Sequence, residues 1–205
     1  MRSYSNYSVR DLLDAFSSTA PAPGGGAAAA LTAALGVSLL LMAAGIRSSR
    51  SGEAADSSEL ADATDRLRSL RPAIESLVDR DAEAYTLVIT ALRMPADSGE
   101  RRKAALDSAM RAATDVPLDI MRASRRALRE APVVATHSIR STHSDVGVAI
   151  ELLRAAVRSA GLTIDANVAS LEDAQYARLV NEERERLDAE SAADAEKALS
   201  MVRSG

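Results

Sequence analysis

The run Leu77-Val78-Asp79-Arg80-Asp81-Ala82-Glu83-Ala84-Tyr85 places one carboxylate where helical spacing calls for an apolar side chain. Asp81 shares a helix face with Leu77, Val78 and Tyr85, at i−4, i−3 and i+4. A carboxylate on such a face is partly desolvated, which raises its pKa and suits it to proton transfer near neutrality. The competing reading is a capped or salt-bridged structural acid, and the spacing alone favours that one.

A second stretch with chemical potential is Ser18-Thr19-Ala20-Pro21-Ala22-Pro23-Gly24-Gly25-Gly26. Each proline pushes its predecessor toward extended backbone, and the glycines permit close approach to a ligand. The Ala-rich run that follows, Ala27 to Ile46, contains no charged side chain and has strong helix propensity. A glycine turn feeding a helix N-terminus leaves N–H groups free beside a partial positive charge. That is a seat for a carboxylate, a phosphate or a polar ring edge. A plain connecting loop is the alternative.

Other candidates are weaker. His137 and His143 share no helical face and have no acids at zinc-ligand spacing, so they read as solvated loop residues. No metal site is expected. Asp145 reads as a helix N-terminal charge, and Asp115 and Asp119, flanking Pro117, as compensation for a broken helix. Neither a Ser-His-Asp set nor a phosphate-binding Walker pattern can be assembled.

The elements that must position these residues are helical. Ser8 caps a short amphipathic helix with Val9, Leu12, Leu13 and Phe16 on one face. Ala27–Ile46 is long enough to span a bilayer. Its alanines, Gly36, Gly45, Thr32 and Ser38, without interfacial aromatics, read instead as a central helix covered all round. Arg47 to Ser58 reads as a solvated connection. Leu60 to Met94 carries a stripe of Leu67, Leu70, Ile74, Leu77, Val78, Tyr85, Val88, Ile89 and Leu92, which Pro72 should kink or divide. Pro95 ends it before a turn at Ala96-Asp97-Ser98-Gly99. A helix from Glu100 to Glu130 is broken by Ala131-Pro132, and Arg140–His143 is a polar loop. Ser144 caps a helix beginning at Asp145 that runs through Val146, Ile150, Leu153, Val157 and Leu162 to Ser170. After a break at Leu171–Asp173, a last charged helix presents Leu179, Leu187, Ala195 and Leu199 inward. The expected fold is all-α, a single-domain bundle over residues 1–205.

Composition agrees. At 205 residues with 47% hydrophobic and 26% charged side chains, the chain suits one globular domain. Aromatics are scarce, so the core must be aliphatic. The net charge of −4 without a basic patch argues against nucleic acid, and the absence of cysteine excludes disulfides and thiolate metal sites. With no signal-peptide pattern at the start, the expected location is cytoplasmic.

Taken together the segments resemble the cyclodeaminase/cyclohydrolase family, which includes the cyclodeaminase half of formiminotransferase-cyclodeaminase and bacterial methenyltetrahydrofolate cyclohydrolases. The marks are Ala20–Gly26 leading into an Ala-rich helix, Asp79–Tyr85, and Leu92-Arg93-Met94-Pro95. Val116-Pro117-Leu118, Ser144-Asp145-Val146-Gly147-Val148-Ala149, and Asn167-Val168 before Leu171-Glu172-Asp173 complete them. The resemblance implies a helical homodimer acting on a tetrahydrofolate derivative without a metal; no cofactor is expected, and composition argues against nucleic acid and membrane as partners. It implies either closure of the formimino form with loss of ammonia or hydrolysis of the methenyl form. Pro23, Gly24, Gly25 and Gly26 would then cradle the folate. Asp81 and Asp145, the latter preceded by Ser144, would orient it and move protons. Tyr85 would be an aromatic wall, and Asn167 would bond polar ligand or backbone groups.

Four positions depart from the family pattern. Ala27 replaces a serine, Ile139 an asparagine, Thr163 an asparagine and Ala96 a lysine. The substitutions cluster on one expected site. An enzyme of folate one-carbon chemistry is therefore expected, with two alternatives. One is the same scaffold with a less polar pocket for another small molecule. The other is a non-catalytic helical dimer using the charged Glu182–Lys197 face.

Overall fold

The structure, a computed structural model, describes residues 3–51, 58–95 and 99–204. The described residues form six α-helices: α1 (Val9–Ser17), α2 (Gly25–Ser51), α3 (Ser58–Leu92), α4 (Gly99–His137), α5 (His143–Val168) and α6 (Ala174–Ser204). Short 3₁₀ turns at Tyr4–Asn6 and Arg140–Thr142 precede α1 and α5, and there is no strand among the described residues.

α2 packs against α3, α4 and α5, while α6 closes over α4 and α5. The close approach of α2 and α5 depends on Gly36, where a Cβ would lie 2.8 Å from Leu153 Cγ and 3.0 Å from the Ala149 carbonyl. Gly25, at the start of α2, faces Thr163 near the end of α5, so the two helices run antiparallel. The core is aliphatic as expected. Tyr4 is its sole buried aromatic among the described residues.

Several boundaries differ from the sequence reading. Pro72 does not divide α3, and Pro117 and Pro132 both lie inside α4. Proline inside a helix costs about 3 kcal/mol through a lost N–H and a ring clash. Leu128, Ala131 and Val134 are fully buried around Pro132, and that burial outweighs the local cost. α2 continues to Ser51, into the stretch from Arg47 to Ser58 that was expected as a solvated connection; residues 52–57 lie outside the described residues. The turn Ala96-Asp97-Ser98, with the substituted Ala96, also lies outside them.

At α5 the helix starts at His143, with Thr142 at the N-cap position making no side-chain cap bond. Ser144 is therefore inside the first turn rather than the cap. Ser8 does cap α1, its Oγ accepting from the Asp11 N–H at 3.1 Å. Apolar faces are also narrower than the patterns implied. Val9 and Leu13 stay exposed on α1, as do Leu92, Leu162 and Leu179 on α3, α5 and α6, where Val180 points inward instead of Leu179. α2 is not covered all round: Leu35 is 53% and Met42 39% exposed, leaving an uncharged stripe. The segment Gly25–Ser48 is long and apolar enough to cross a membrane, yet it is packed on three helices of the bundle.

Candidate active site

The first turn of α2 meets the middle of α3. The Ala27 N–H, one of the donors a helix N-terminus leaves unpaired, donates to Asp81 Oδ2 at 2.8 Å. The other carboxylate oxygen occupies the space of a missing side chain. A Cβ on Gly26 would stand 2.0 Å from Asp81 Oδ1, so no larger residue fits there. Burial raises the Asp81 pKa above the usual carboxylate range, and the Ala27 hydrogen bond opposes this only in part. The helix N-terminus thus faces an acid whose charged form is disfavoured by burial and favoured by the Ala27 N–H.

A cavity of about 290 Å³ opens beside this pair. Its floor is Gly24, Gly25 and Gly26 with Pro21; α3 adds Asp81 and Tyr85, α4 adds Ala113, and α5 adds Thr163 and Asn167. Tyr85, 43% exposed, stands one turn beyond Asp81 and forms an aromatic edge. Pro23 is buried behind the loop, and its peptide bond with Ala22 is cis. Ala27 contributes its backbone to Asp81 and buries its methyl in the core, so it does not line the cavity.

Asn167 is held by a consequence of Pro117. In α4 the Ala113 carbonyl would accept from the N–H of residue 117, which proline lacks. Asn167 Nδ2 donates to that carbonyl at 2.7 Å instead. The amide is therefore pinned across α4 and α5 at the cavity wall. Ala113 was not singled out from the sequence, and Pro21 only as part of the glycine loop rather than as a residue touching the ligand. A proline four residues after Ala113 is the signal that could have found the first.

Other expected residues lie elsewhere. Ile139, Ser144 and Asp145 sit around the N-terminus of α5, whereas Thr163 and Asn167 sit near its C-terminus. The eighteen positions from Asp145 to Thr163 correspond to about 27 Å of helix. A single chain does not bring Asp145 to Asp81. Asp115 and Asp119 turn out to be bonded partners rather than compensation for a broken helix. Asp115 accepts from the Tyr176 hydroxyl at 2.6 Å, and Asp119 from Arg80 and Arg122, each at 3.0 Å. His143 Nε2 lies 3.4 Å from the Ser138 carbonyl and His137 lies 3.7 Å from Glu59. Among the described residues no three His, Cys, Asp or Glu side chains form a metal-sized group.

Comparison with known proteins gives this geometry a lineage. The profile of the family described as formiminotransferase-cyclodeaminase matches residues 8–186. The chain is 32% identical, over 97% of both proteins, to a methenyltetrahydrofolate cyclohydrolase of Methylorubrum extorquens. The chain belongs to the formiminotransferase-cyclodeaminase family. It is also 29% identical over 176 residues to a formimidoyltransferase-cyclodeaminase of Dictyostelium discoideum, spanning 32% of that longer family member. A solved formiminotetrahydrofolate cyclodeaminase of Thermotoga maritima superposes with a TM-score of 0.86 over 97% of each chain at 21% identity, which establishes the cyclodeaminase fold. Within this family frame, Asp81 and the Gly24–Gly26 loop are adjacent in space, and the Ser144–Asp145 segment is remote from them.

Proposed function

We propose that this chain is a folate one-carbon enzyme, a methenyltetrahydrofolate cyclohydrolase in the first instance, with Asp81 as its acid–base group. The observation that carries the reading is a desolvated carboxylate beside a glycine-lined cavity at a helix N-terminus. The similarity to the M. extorquens cyclohydrolase over nearly the whole length supports the substrate class. No cofactor or metal is invoked.

The chemistry needs one group that takes and returns a proton. Water adds its oxygen to the methenyl carbon bridging two folate nitrogens, and Asp81 as carboxylate takes the proton it sheds. As the bond from that tetrahedral carbon to N5 breaks, Asp81 returns its proton to N5, and the carbinol hydroxyl becomes the formyl carbonyl on N10 by releasing its own proton to water. The raised pKa of Asp81 makes its carboxylate a better proton acceptor than an exposed one. Tyr85 offers a face for the flat ring, and the N–H groups of the glycine turn offer donors to polar ring edges. Closure of a formimino substrate with loss of ammonia passes through the same type of carbon and would use the same group. The deciding experiment follows the absorbance of 5,10-methenyl-tetrahydrofolate with the wild type and with Asp81→Asn. Rapid loss abolished by the variant supports the reading; equal rates for both sink it.

A homodimer is the proposed working form. α5 runs antiparallel to α2, with Gly36 against Ala149 and Leu153, so Asp145 stands level with about Met42 by the rise of each helix. A two-fold axis midway between that level and the glycine turn crosses α2 between Leu31 and Leu35, on its exposed stripe. Isologous pairing there brings the second copy's Ser144–Asp145 segment level with this chain's Gly24–Gly26 loop. The absence of cysteine fits a reducing compartment, and the cytoplasm is the proposed location. The edited-pocket alternative draws on Thr163, which lines the cavity at a position where the family resemblance implies an asparagine. A thermal shift with non-folate metabolites but none with folates would favour it.

A further inference from the structure

The segment before α1 plays no part in the chemistry above, yet it is tied to the same helix as Asp81 and to the loop that covers it. Asp79 accepts from the Tyr4 N–H at 2.6 Å and from the Ser3 hydroxyl, which anchors the 3₁₀ turn Tyr4–Asn6 on α3. The Tyr4 side chain is only 6% exposed, and its hydroxyl donates to the Ala22 carbonyl at 3.3 Å. Ala22 and Pro23 lead directly into the glycines, and Ala27 closes on Asp81. The hydrogen bonds and the chain between them form a ring that leaves α3 at Asp79 and returns to it at Asp81.

The two carboxylates lie two positions apart and project from different faces of α3. Asp81 therefore holds the helix end of the loop, and Asp79 holds the approach through Tyr4. We propose that Tyr4 and Asp79 are positioning residues that brace the Pro21–Gly26 loop and keep the Asp81 carboxylate covered. The inference rests on the reading of Asp81 as the acid–base group, but its structural half stands without it. No charged side chain contributes to the Asp81 shift, which arises from burial and the Ala27 N–H. The groups facing it from the loop, α4 and α5 are Gly26, Ala27, Ala113, Thr163 and Asn167, and Tyr85 on its own helix is the sole other titratable one in the cavity wall.

Loosening the brace admits water and weakens the Ala27 bond. Burial is the larger influence, so the Asp81 pKa should fall toward its ordinary value. The test is the Ala27 amide proton followed by NMR against pH, because it is bonded to Asp81 Oδ2 and reports its ionisation without any substrate. Tyr4→Phe keeps the ring and removes the bond to Ala22; Asp79→Asn weakens the anchor. Both variants are expected to lower the Ala27 titration midpoint and to speed amide exchange at Ala27 by about threefold to tenfold, as for one lost hydrogen bond. Exchange at the core residue Leu153 should not change. The rate of methenyl loss should fall by a similar factor, with its pH profile displaced in the same direction. An unchanged Ala27 midpoint and exchange rate in Tyr4→Phe overturns the brace, and so does equal loosening at Leu153. Should the wild type lack folate activity while the amide shifts as expected, the function fails and the brace stands.

Discussion

Gly26 and Asp81 share one space: the carboxylate oxygen Oδ1 lies 2.0 Å from where a Cβ on Gly26 would be. The missing side chain is what lets α3 bring an acid against the first turn of α2, and the Ala27 N–H then fixes its other oxygen. Loop sequence and the proposed acid–base group meet at this one contact.

Gly26→Ala tests it most directly. The new methyl must displace Asp81 or the α2 terminus, and overpacking of this kind costs about 1–3 kcal/mol. A lower urea midpoint is expected together with loss of methenyl hydrolysis. Gly24→Ala, which meets nothing within 4 Å, should be nearly silent in stability.

Asp81→Asn should reduce turnover by about 10²-fold or more, the scale of general acid–base catalysis. Stability should move the other way at neutral pH. A carboxyl whose folded pKa is raised stabilises the fold fully below its unfolded pKa, and that contribution is lost as pH rises through the folded value. The variant, neutral throughout, should therefore lose less stability than the wild type between acid and neutral pH. Urea midpoints measured across that window check the sign.

Asn167 and Pro117 should be coupled. Asn167→Leu leaves the Ala113 carbonyl unpaired, at a cost of about 1–3 kcal/mol. Pro117→Ala restores an N–H four residues after Ala113, so in its background the Asn167→Leu penalty should shrink. Four-way denaturation measurements give the coupling, and strict additivity would sink this account of Asn167.

The proposed dimer makes a kinetic prediction. If Asp145 acts on the glycine loop of the second copy, Asp81→Asn and Asp145→Asn proteins are each inactive. Mixing and re-equilibration should then recover activity, since hybrid dimers hold one intact site. Leu35→Glu, placed on the exposed α2 stripe, should yield monomers by light scattering and abolish the recovery.

Much of the site was legible in the chain. Helical spacing put Asp81 on the face of Leu77 and Val78, where a carboxylate loses water. It favoured a capped structural acid over a proton-transfer group, and the bond from the Ala27 N–H together with the burial fits both readings. The charge-free run after three glycines foretold an apolar helix with an open N-terminus for the same local reason. Pro132 was misread as a break, since the packing of Leu128, Ala131 and Val134 that overrides it comes from other parts of the chain.

Two relationships belonged to the tertiary structure alone. Asp81 meets Ala27 across fifty-four positions of sequence because α2 and α3 pack side by side, and Gly26 admits the contact. Asp145 is kept from both by the antiparallel course of α5 along α2, which the close approach at Gly36 sets. Sequence periodicity determines which face of a helix is apolar. The direction in which two apolar faces are laid together, and hence which distant acids meet, depends on close packing that no local pattern encodes.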